Sequence, residues 1–101
     1  MTDQQIIQRL QTGDERAFDA AINAYSRLLW SIVRAILRNV GSTEDMEECV
    51  ADAFIQLWRN RASIEQSRGG LKAWLCTVTK GRAIDCYRKA VRKSEISLDE
   101  Q

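Results

Sequence analysis

Basic and aromatic side chains lie together in the last third of the sequence, where they could bind nucleic acid. Residues 59–93 contain ten lysines and arginines against two acids, a net charge of +8, and they include Trp74 and Tyr87. Cationic side chains neutralise phosphates, and aromatic rings stack on the unstacked bases of single-stranded DNA. The same pattern is also typical of a solvated basic helix whose aromatic residues belong to the core. The pattern alone therefore leaves both interpretations open.

Acidic side chains precede this basic segment. Residues 41–58 contain five acids and no lysine or arginine. Three of the acids, Glu44, Glu48 and Asp52, are spaced by four residues and would line one face of a helix. The overall net charge of +1 hides this asymmetry, which indicates one basic and one acidic partner.

The residue types in this sequence give little support for a catalytic site or a metal site. The chain has no histidine, which is the commonest general base and the commonest metal ligand. A serine or cysteine nucleophile would lack its usual partner, and a di-metal bundle would lack its Glu-x-x-His motifs. We therefore expect no enzymatic activity, no metal and no cofactor. Cys49, Cys76 and Cys86 are odd in number and lack CxxC spacing, so we expect buried free thiols rather than a disulfide framework.

Length and hydropathy bound the class of protein. A chain of 101 residues suits one domain, and no apolar run approaches the ~18 residues that span a bilayer. The N-terminal residues lack the basic flank and apolar stretch of a signal peptide. We expect a cytoplasmic protein that does not insert into a membrane.

Helical periodicity dominates the sequence, which contains no proline. Apolar residues recur every three or four positions, which predicts an all-α fold, a compact bundle of about four helices. Asp14 and either Ser42 or Thr43 are the expected N-caps of the second and third helices. A polar loop is expected at residues 61–70, and residues 94–101 resemble a linker or a disordered end. The predicted helices cover residues 3–11, 15–39, 44–60 and 71–93.

The fourth predicted helix has an unusual apolar pattern. Its first half places Leu71, Leu75 and their large apolar neighbours on one face. Its second half places Ile84, Tyr87 and Val91 on nearly the opposite face. A straight helix would thus bury two faces, so we expect a bend at Gly81 or packing of its end on another element.

Three stretches of sequence resemble the extracytoplasmic-function sigma factors. Residues 45–59, DMEECVADAFIQLWR, are similar to the pattern DAEDLVQEVFLRLWR of region 2.2 in that family. Residues 68–85, RGGLKAWLCTVTKGRAID, are similar to RGSFRAWLYTIARNLALD of regions 2.3 and 2.4, and residues 13–18 resemble the family's GDExAF start. The resemblance covers about residues 5–93 and keeps the order and spacing of the motifs. It implies a region 2 domain at residues 1–93, followed at 94–101 by the start of a linker to an absent region 4 domain.

The resemblance also implies two binding surfaces and their partners. The region 2.2 helix of the family docks on the clamp helices of the largest subunit of RNA polymerase, which by position would involve Glu48, Ala51, Asp52 and Ile55. Regions 2.3 and 2.4 recognise and melt the promoter minus-ten element through its non-template strand, with one flipped base in a pocket. An anti-sigma factor is a further expected partner. The candidate DNA-binding residues are Ser67, Arg68, Lys72, Trp74, Thr77, Lys80, Gly81, Arg82, Asp85 and Arg88.

Three positions depart from the family pattern. Ala51 stands where the family often has glutamine, Gly81 where it has asparagine, and Arg82 where an apolar residue is usual. A helical protein-interaction regulator that binds an anti-sigma factor without reading DNA is the alternative function. Sequence-dependent binding of single-stranded minus-ten DNA would distinguish the two.

Overall fold

Four α-helices make up the computed structural model, which describes residues 1–64 and 69–99, with side chains as far as Lys93. No strand occurs in those ranges, so the prediction of an all-α bundle of four helices is confirmed. The predicted starts and ends agree with the structure to within two residues, apart from the end of the fourth helix. The helices are α1 (Asp3–Gln11), α2 (Glu15–Leu37), α3 (Thr43–Arg59) and α4 (Gly70–Asp99).

Side-chain caps fix where the first three helices begin. The Asp14 carboxylate accepts the Arg16 backbone N–H at 2.9 Å, which caps α2. Ser42 begins α3 with a capping box, in which its hydroxyl accepts the Asp45 N–H at 3.1 Å and the Asp45 carboxylate accepts the Ser42 N–H at 3.0 Å. Such caps satisfy backbone donors that have no partner inside the helix. The two predicted N-caps, Asp14 and Ser42, are therefore confirmed.

The turn between α2 and α3 depends on a close approach to glycine. A Cβ atom at Gly41 would lie 3.0 Å from Leu37 Cβ, a tight contact that would require Leu37 to shift by a few tenths of an ångström. The Gly41 backbone does not adopt a positive φ, so it is lack of space rather than a left-handed conformation that requires glycine here.

The core lies where α4 packs against the other three helices. Ile6, Ile7 and Leu10 of α1 are buried in it with the apolar faces of α2 and α3. The Tyr25 hydroxyl of α2 also donates a hydrogen bond to the Asp3 carboxylate of α1. Burial and this hydrogen bond raise the pKa of Tyr25 to about 12. Tyr25 therefore stays neutral across the physiological range and ties α1 to α2.

The face that α4 buries differs from the one that its large apolar residues predict. Leu71, Leu75, Thr79 and Ala83 are fully buried, each one four residues after the last. The expected second buried face is wrong, because its members Ile84 and Tyr87 are exposed. The helix also continues unbroken through Gly81, so it is not interrupted at the position where the face of its large apolar residues changes. The half-buried Cys86 and Ala90 extend the buried stripe toward the end of the helix.

The end of α4 is a second difference from the sequence-based prediction. The helix continues past Lys93 to Asp99, into residues that were expected to be a linker or a disordered end. Residues 94–99 contain no proline or glycine that would end a helix. Their polar composition was the reason for predicting a linker there. The role of residues 94–101 as an interdomain linker stays a prediction. Within the described ranges, no helix is long and apolar enough to cross a membrane.

Thr79 offers a test of this core. Its side chain is fully buried, and its hydroxyl oxygen has no hydrogen-bond partner among the described residues. Thr79→Val replaces the hydroxyl with a methyl group of similar shape and should raise the free energy of unfolding by about 1 kcal/mol, because an unsatisfied buried polar group is removed. Urea denaturation measures the change.

Thr77→Val is the matched control, because Thr77 is exposed on the same helix. We expect that substitution to change stability by less than about 0.5 kcal/mol. A destabilised Thr79→Val variant would show that the hydroxyl is satisfied and that the core assignment of this face is incomplete.

Candidate nucleic-acid interface

One side of α4 combines exposed cations with exposed apolar side chains. Its members recur every three or four residues, so they share a helix face, and all are exposed. This side lies opposite the buried stripe of Leu71, Leu75, Thr79 and Ala83, because a helix with 3.6 residues per turn directs the two sets of side chains about half a turn apart. We call it the outward face of α4, and its residues are Thr77, Lys80, Gly81, Ile84, Tyr87 and Arg88.

Ile84 and Tyr87 are the members of this face that the sequence interpretation missed. Their exposed fractions are 40 % and 43 %, high for large apolar side chains. Tyr87 lines a cleft with Ile36, Arg38 and Val40 at the end of α2. A helical wheel drawn from the sequence could have identified them, because it places Ile84 and Tyr87 on the same side as Lys80 and opposite the Leu71–Leu75 stripe. The two residues offer apolar and aromatic surface beside the cations, as contacts to bases require.

Arg82 points to the other side of α4, toward α3. Its Nε atom lies 3.4 Å from Asp52 Oδ2, and the two side chains are 31 % and 33 % exposed. Asp52 Oδ2 also accepts a hydrogen bond from Gln56 Nε2 at 2.8 Å. The structure thus joins two residues that the sequence assigned to different surfaces, one to DNA and one to polymerase. A pair this exposed contributes at most about 1 kcal/mol, so its main consequence is to orient Arg82.

Further cations of α4 share a cleft with the acids of α3. Lys89 and Lys93 line it from α4, and Asp45 and Glu48 line it from α3, around a volume of about 670 Å³. The start of α3 therefore lies beside the C-terminal half of α4, so the two helices run antiparallel. Part of the charge asymmetry seen in the sequence is satisfied inside the domain and does not require an external partner.

The four predicted polymerase-contacting residues share one side of α3. Glu48, Ala51 and Ile55 are exposed, whereas Asp52 is half-buried by its pairing with Arg82. We call this side, Glu48, Ala51, Asp52 and Ile55, the α3 face.

An apolar cleft adjoins the α3 face. Ile55 is 46 % exposed and lines this cleft of about 390 Å³ with Phe18 and Trp58. The Phe18 and Trp58 rings meet edge to face with their centroids 5.4 Å apart. The Arg61 guanidinium lies over the Trp58 ring at 4.2 Å. These contacts hold the cleft walls in place beside Ile55, so the α3 face continues into a firm apolar surface.

The remaining candidate DNA-binding residues occupy varied positions. Lys72 and Asp85 are exposed, outside the outward face as defined. Trp74 is half-buried and packs against the core, which leaves less of its ring for a base. Ser67 and Arg68 lie outside the described residues. Gly69 and Gly70, which follow them, have φ values of 74° and 70°, a left-handed conformation that glycine adopts at little cost.

A family model and a solved structure match most of this chain. The model of sigma-70 region 2 matches residues 21–93. The solved structure is an engineered region 2 of sigmaE in complex with GTAAAA, with a TM-score of 0.77 and 26 % sequence identity. That similarity covers 92 % of this chain and 93 % of the other, so the four-helix arrangement is shared along nearly its whole length.

Curated relatives add a more specific similarity. The extracytoplasmic-function RNA polymerase sigma factor SigK of Mycolicibacterium vanbaalenii is 32 % identical over 83 residues, which are 82 % of this chain and 41 % of that protein. The SigK of Mycobacterium tuberculosis strain H37Rv is 26 % identical over 83 residues, 82 % of this chain and 43 % of that protein. The chain therefore spans less than half the length of these relatives.

Gly81 gives a prediction about the outward face itself. Its φ is not positive, and a Cβ atom there would meet no atom within 4 Å. Gly81→Ala should raise the free energy of unfolding by about 0.5–1 kcal/mol, because glycine in a helix interior loses more backbone entropy on folding. Thermal denaturation followed by circular dichroism measures it. A lower melting temperature would mean that α4 needs glycine for a bend at this position.

Proposed function

The chain belongs to the sigma-70 region 2 family. We propose that it is the region 2 domain of an extracytoplasmic-function sigma factor, and that it docks on RNA polymerase and reads the promoter minus-ten element. The outward face of α4 would contact the non-template strand, and the α3 face would contact the clamp helices of the largest polymerase subunit. The observation that carries the proposal is the outward face, where Lys80 and Arg88 flank Ile84 and lie beside Tyr87 on an exposed side of the helix.

Two kinds of side chain on the outward face support two parts of DNA binding. Lys80 and Arg88 are exposed cations on that face, so they are suited to phosphates. The exposed acid Asp85 lies about one turn before Arg88. Ile84 and Tyr87 supply uncharged surface between the two cations, suited to the faces of unstacked bases. Phosphate contacts set affinity and register, and base contacts carry sequence information. The solved relative of similar fold is a complex with the hexanucleotide GTAAAA, which favours a single strand as the ligand.

The segment before α4 would complete the base-reading site. The family resemblance places Ser67 and Arg68 there, in a pocket for an extruded base, and this assignment stays a prediction. Such pockets hydrogen-bond the edges of the base. Arg82 is the candidate that we reassign, because its contact with Asp52 gives it a role in holding α3 against α4.

Polymerase docking has its own support on the α3 face. Glu48 is an exposed acid, and Ile55 is an exposed apolar residue beside the cleft that Phe18 and Trp58 line. An exposed apolar residue next to a rigid aromatic cleft, with acids around it, is the composition expected of a protein-binding surface. Asp52 is a poorer probe of this surface, because changing it would also disturb Arg82 and Gln56.

DNA binding is tested by removing the two cations of the outward face. Lys80→Ala and Arg88→Ala should weaken binding to single-stranded oligonucleotides of every sequence by similar factors. Each lost phosphate contact should also make the slope of log affinity against log salt shallower by about 0.7. Fluorescence anisotropy with a labelled GTAAAA strand, repeated on a scrambled strand, provides the measurement.

Arg82→Ala is the matched control for that experiment, because it removes a cation from the side of α4 that faces α3. We expect its DNA affinity and salt slope to stay near those of the unmodified chain. A large loss for Arg82→Ala, with none for Lys80→Ala and Arg88→Ala, would place the DNA on the opposite side of α4. The alternative function, a regulator that binds an anti-sigma factor but not DNA, requires equal and negligible binding of the GTAAAA and scrambled strands.

Polymerase docking is tested at Ile55 and Ala51. Ile55→Glu should weaken binding to RNA polymerase core by roughly tenfold or more, because it places a charge in the apolar part of the contact, and 1.4 kcal/mol already corresponds to a factor of ten. Ala51→Gln restores the residue that the family often has and should strengthen binding. Core polymerase titrated with the labelled domain measures both.

Lys80→Ala is the control for polymerase binding, since it lies on α4 and away from the α3 face. Its polymerase affinity should be unchanged, just as the affinity of Ile55→Glu for DNA should be. If Ile55→Glu binds core polymerase normally, the α3 face is not the docking surface.

A further inference from the structure

Two cysteines face each other between α3 and α4. The Asp52–Arg82 ion pair shows which levels of these antiparallel helices lie side by side. Cys49 lies about one turn before Asp52 on α3, and Cys86 lies about one turn after Arg82 on α4, so the register brings them to the same level. The two thiols lie close enough for Cys86 to affect the ionisation of Cys49.

Small side chains surround the two cysteines. Ala53 follows Cys49 on the buried side of α3, and Ala83 and Ala90 flank Cys86 on the buried side of α4. Alanine and cysteine at facing positions allow two helices to approach closely. A disulfide requires such an approach, because its two Cα atoms are usually 4.4–6.8 Å apart.

The two thiols differ in access to solvent. Cys49 is fully buried, whereas Cys86 is half-buried and lines the cleft shared by Asp45, Glu48 and Lys89. A small oxidant in that cleft would reach Cys86 and not Cys49. Burial raises the pKa of the Cys49 thiol to about 11, so Cys49 is a poor first target of oxidation. Its part in a second step depends on its position next to Cys86.

We propose that Cys49 and Cys86 form an internal disulfide between α3 and α4 when the protein meets a peroxide. The Cys86 thiol attacks hydrogen peroxide, becomes a sulfenic acid and releases one water. The Cys49 sulfur then attacks the Cys86 sulfur, the sulfenic oxygen leaves with the Cys49 proton as a second water, and the disulfide remains. The two thiols lose two electrons and two protons, and the peroxide is reduced to two waters.

Cys76 supplies an internal control. It is a free, half-buried cysteine on α4 like Cys86, but it lies near Tyr25 of α2 rather than beside Cys49. A modification that depends on exposure alone would affect Cys76 and Cys86 alike. A disulfide that depends on the pairing with Cys49 would spare Cys76.

The experiment oxidises the full chain and maps its thiols. Purified protein is treated with hydrogen peroxide, the remaining thiols are blocked with N-ethylmaleimide, and peptides are analysed by mass spectrometry with and without dithiothreitol. We expect a linked pair of peptides containing Cys49 and Cys86, one blocked thiol at Cys76, and a melting temperature that rises on oxidation and returns with dithiothreitol. Cys76→Ala should leave the linkage intact, and Cys86→Ala should abolish it.

Cys86→Ala is the main variant because its position is only half-buried, so folding should survive the change. Three results would overturn the proposal: a linkage that involves Cys76, Cys86 oxidised to sulfinic acid while Cys49 still reacts with N-ethylmaleimide after denaturation, or a linkage only between two chains. None of these depends on DNA or polymerase binding, so the outcome is separate from that of the proposed function.

Discussion

Burial of one narrow face of α4 is the constraint from which the rest of the structure follows. Leu71, Leu75, Thr79 and Ala83 are fully buried where α4 meets the other three helices. Because a helix presents each residue at a fixed angle, burying this stripe also fixes which residues point away from the core. Lys80 and Ile84 are exposed for that reason, and no separate interaction is needed to orient them. The packing of the core thus determines which residues of α4 are available to a partner.

The packing of α3 against α4 sorts the charges of the sequence. Counted along the chain, residues 59–93 carry a net charge of +8, but in the folded protein cations of α4 lie on more than one side of that helix. Arg82, Lys89 and Lys93 lie with the acids of α3, and Lys80 and Arg88 lie outward. The individual ion pair is weak because its members are partly exposed. It marks the level at which α3 and α4 meet, and Cys49 and Cys86 lie about one turn away from it on the two helices.

Sequence periodicity predicts the helices and caps well, and it fails where the core is built from small residues. Strong apolar repeats and capping residues such as Ser42 mark α1, α2 and α3 to within two residues. In the second half of α4 the buried stripe consists of the fully buried Ala83 and the half-buried Cys86 and Ala90, whereas the large apolar residues Ile84 and Tyr87 are exposed. A search for large apolar residues therefore finds the wrong face. The pairing of Arg82 with Asp52 depends on how α3 packs against α4, which no pattern within one helix can reveal.

The composition of the outward face indicates which of its groups would contribute affinity for DNA and which would contribute sequence specificity. Cations at Lys80 and Arg88 attract any phosphate backbone, and their contribution falls as salt rises. Ile84 and Tyr87 would contact bases through apolar surface, and such contacts are less sensitive to salt and tolerant of base identity. Gly81 lies among them without a side chain, so that position offers no side-chain donor or acceptor to a base edge. Hydrogen bonds from this face to bases would have to come from its remaining polar groups, such as the Thr77 and Tyr87 hydroxyls. The family resemblance places further base-reading groups, Ser67 and Arg68, in the segment before α4.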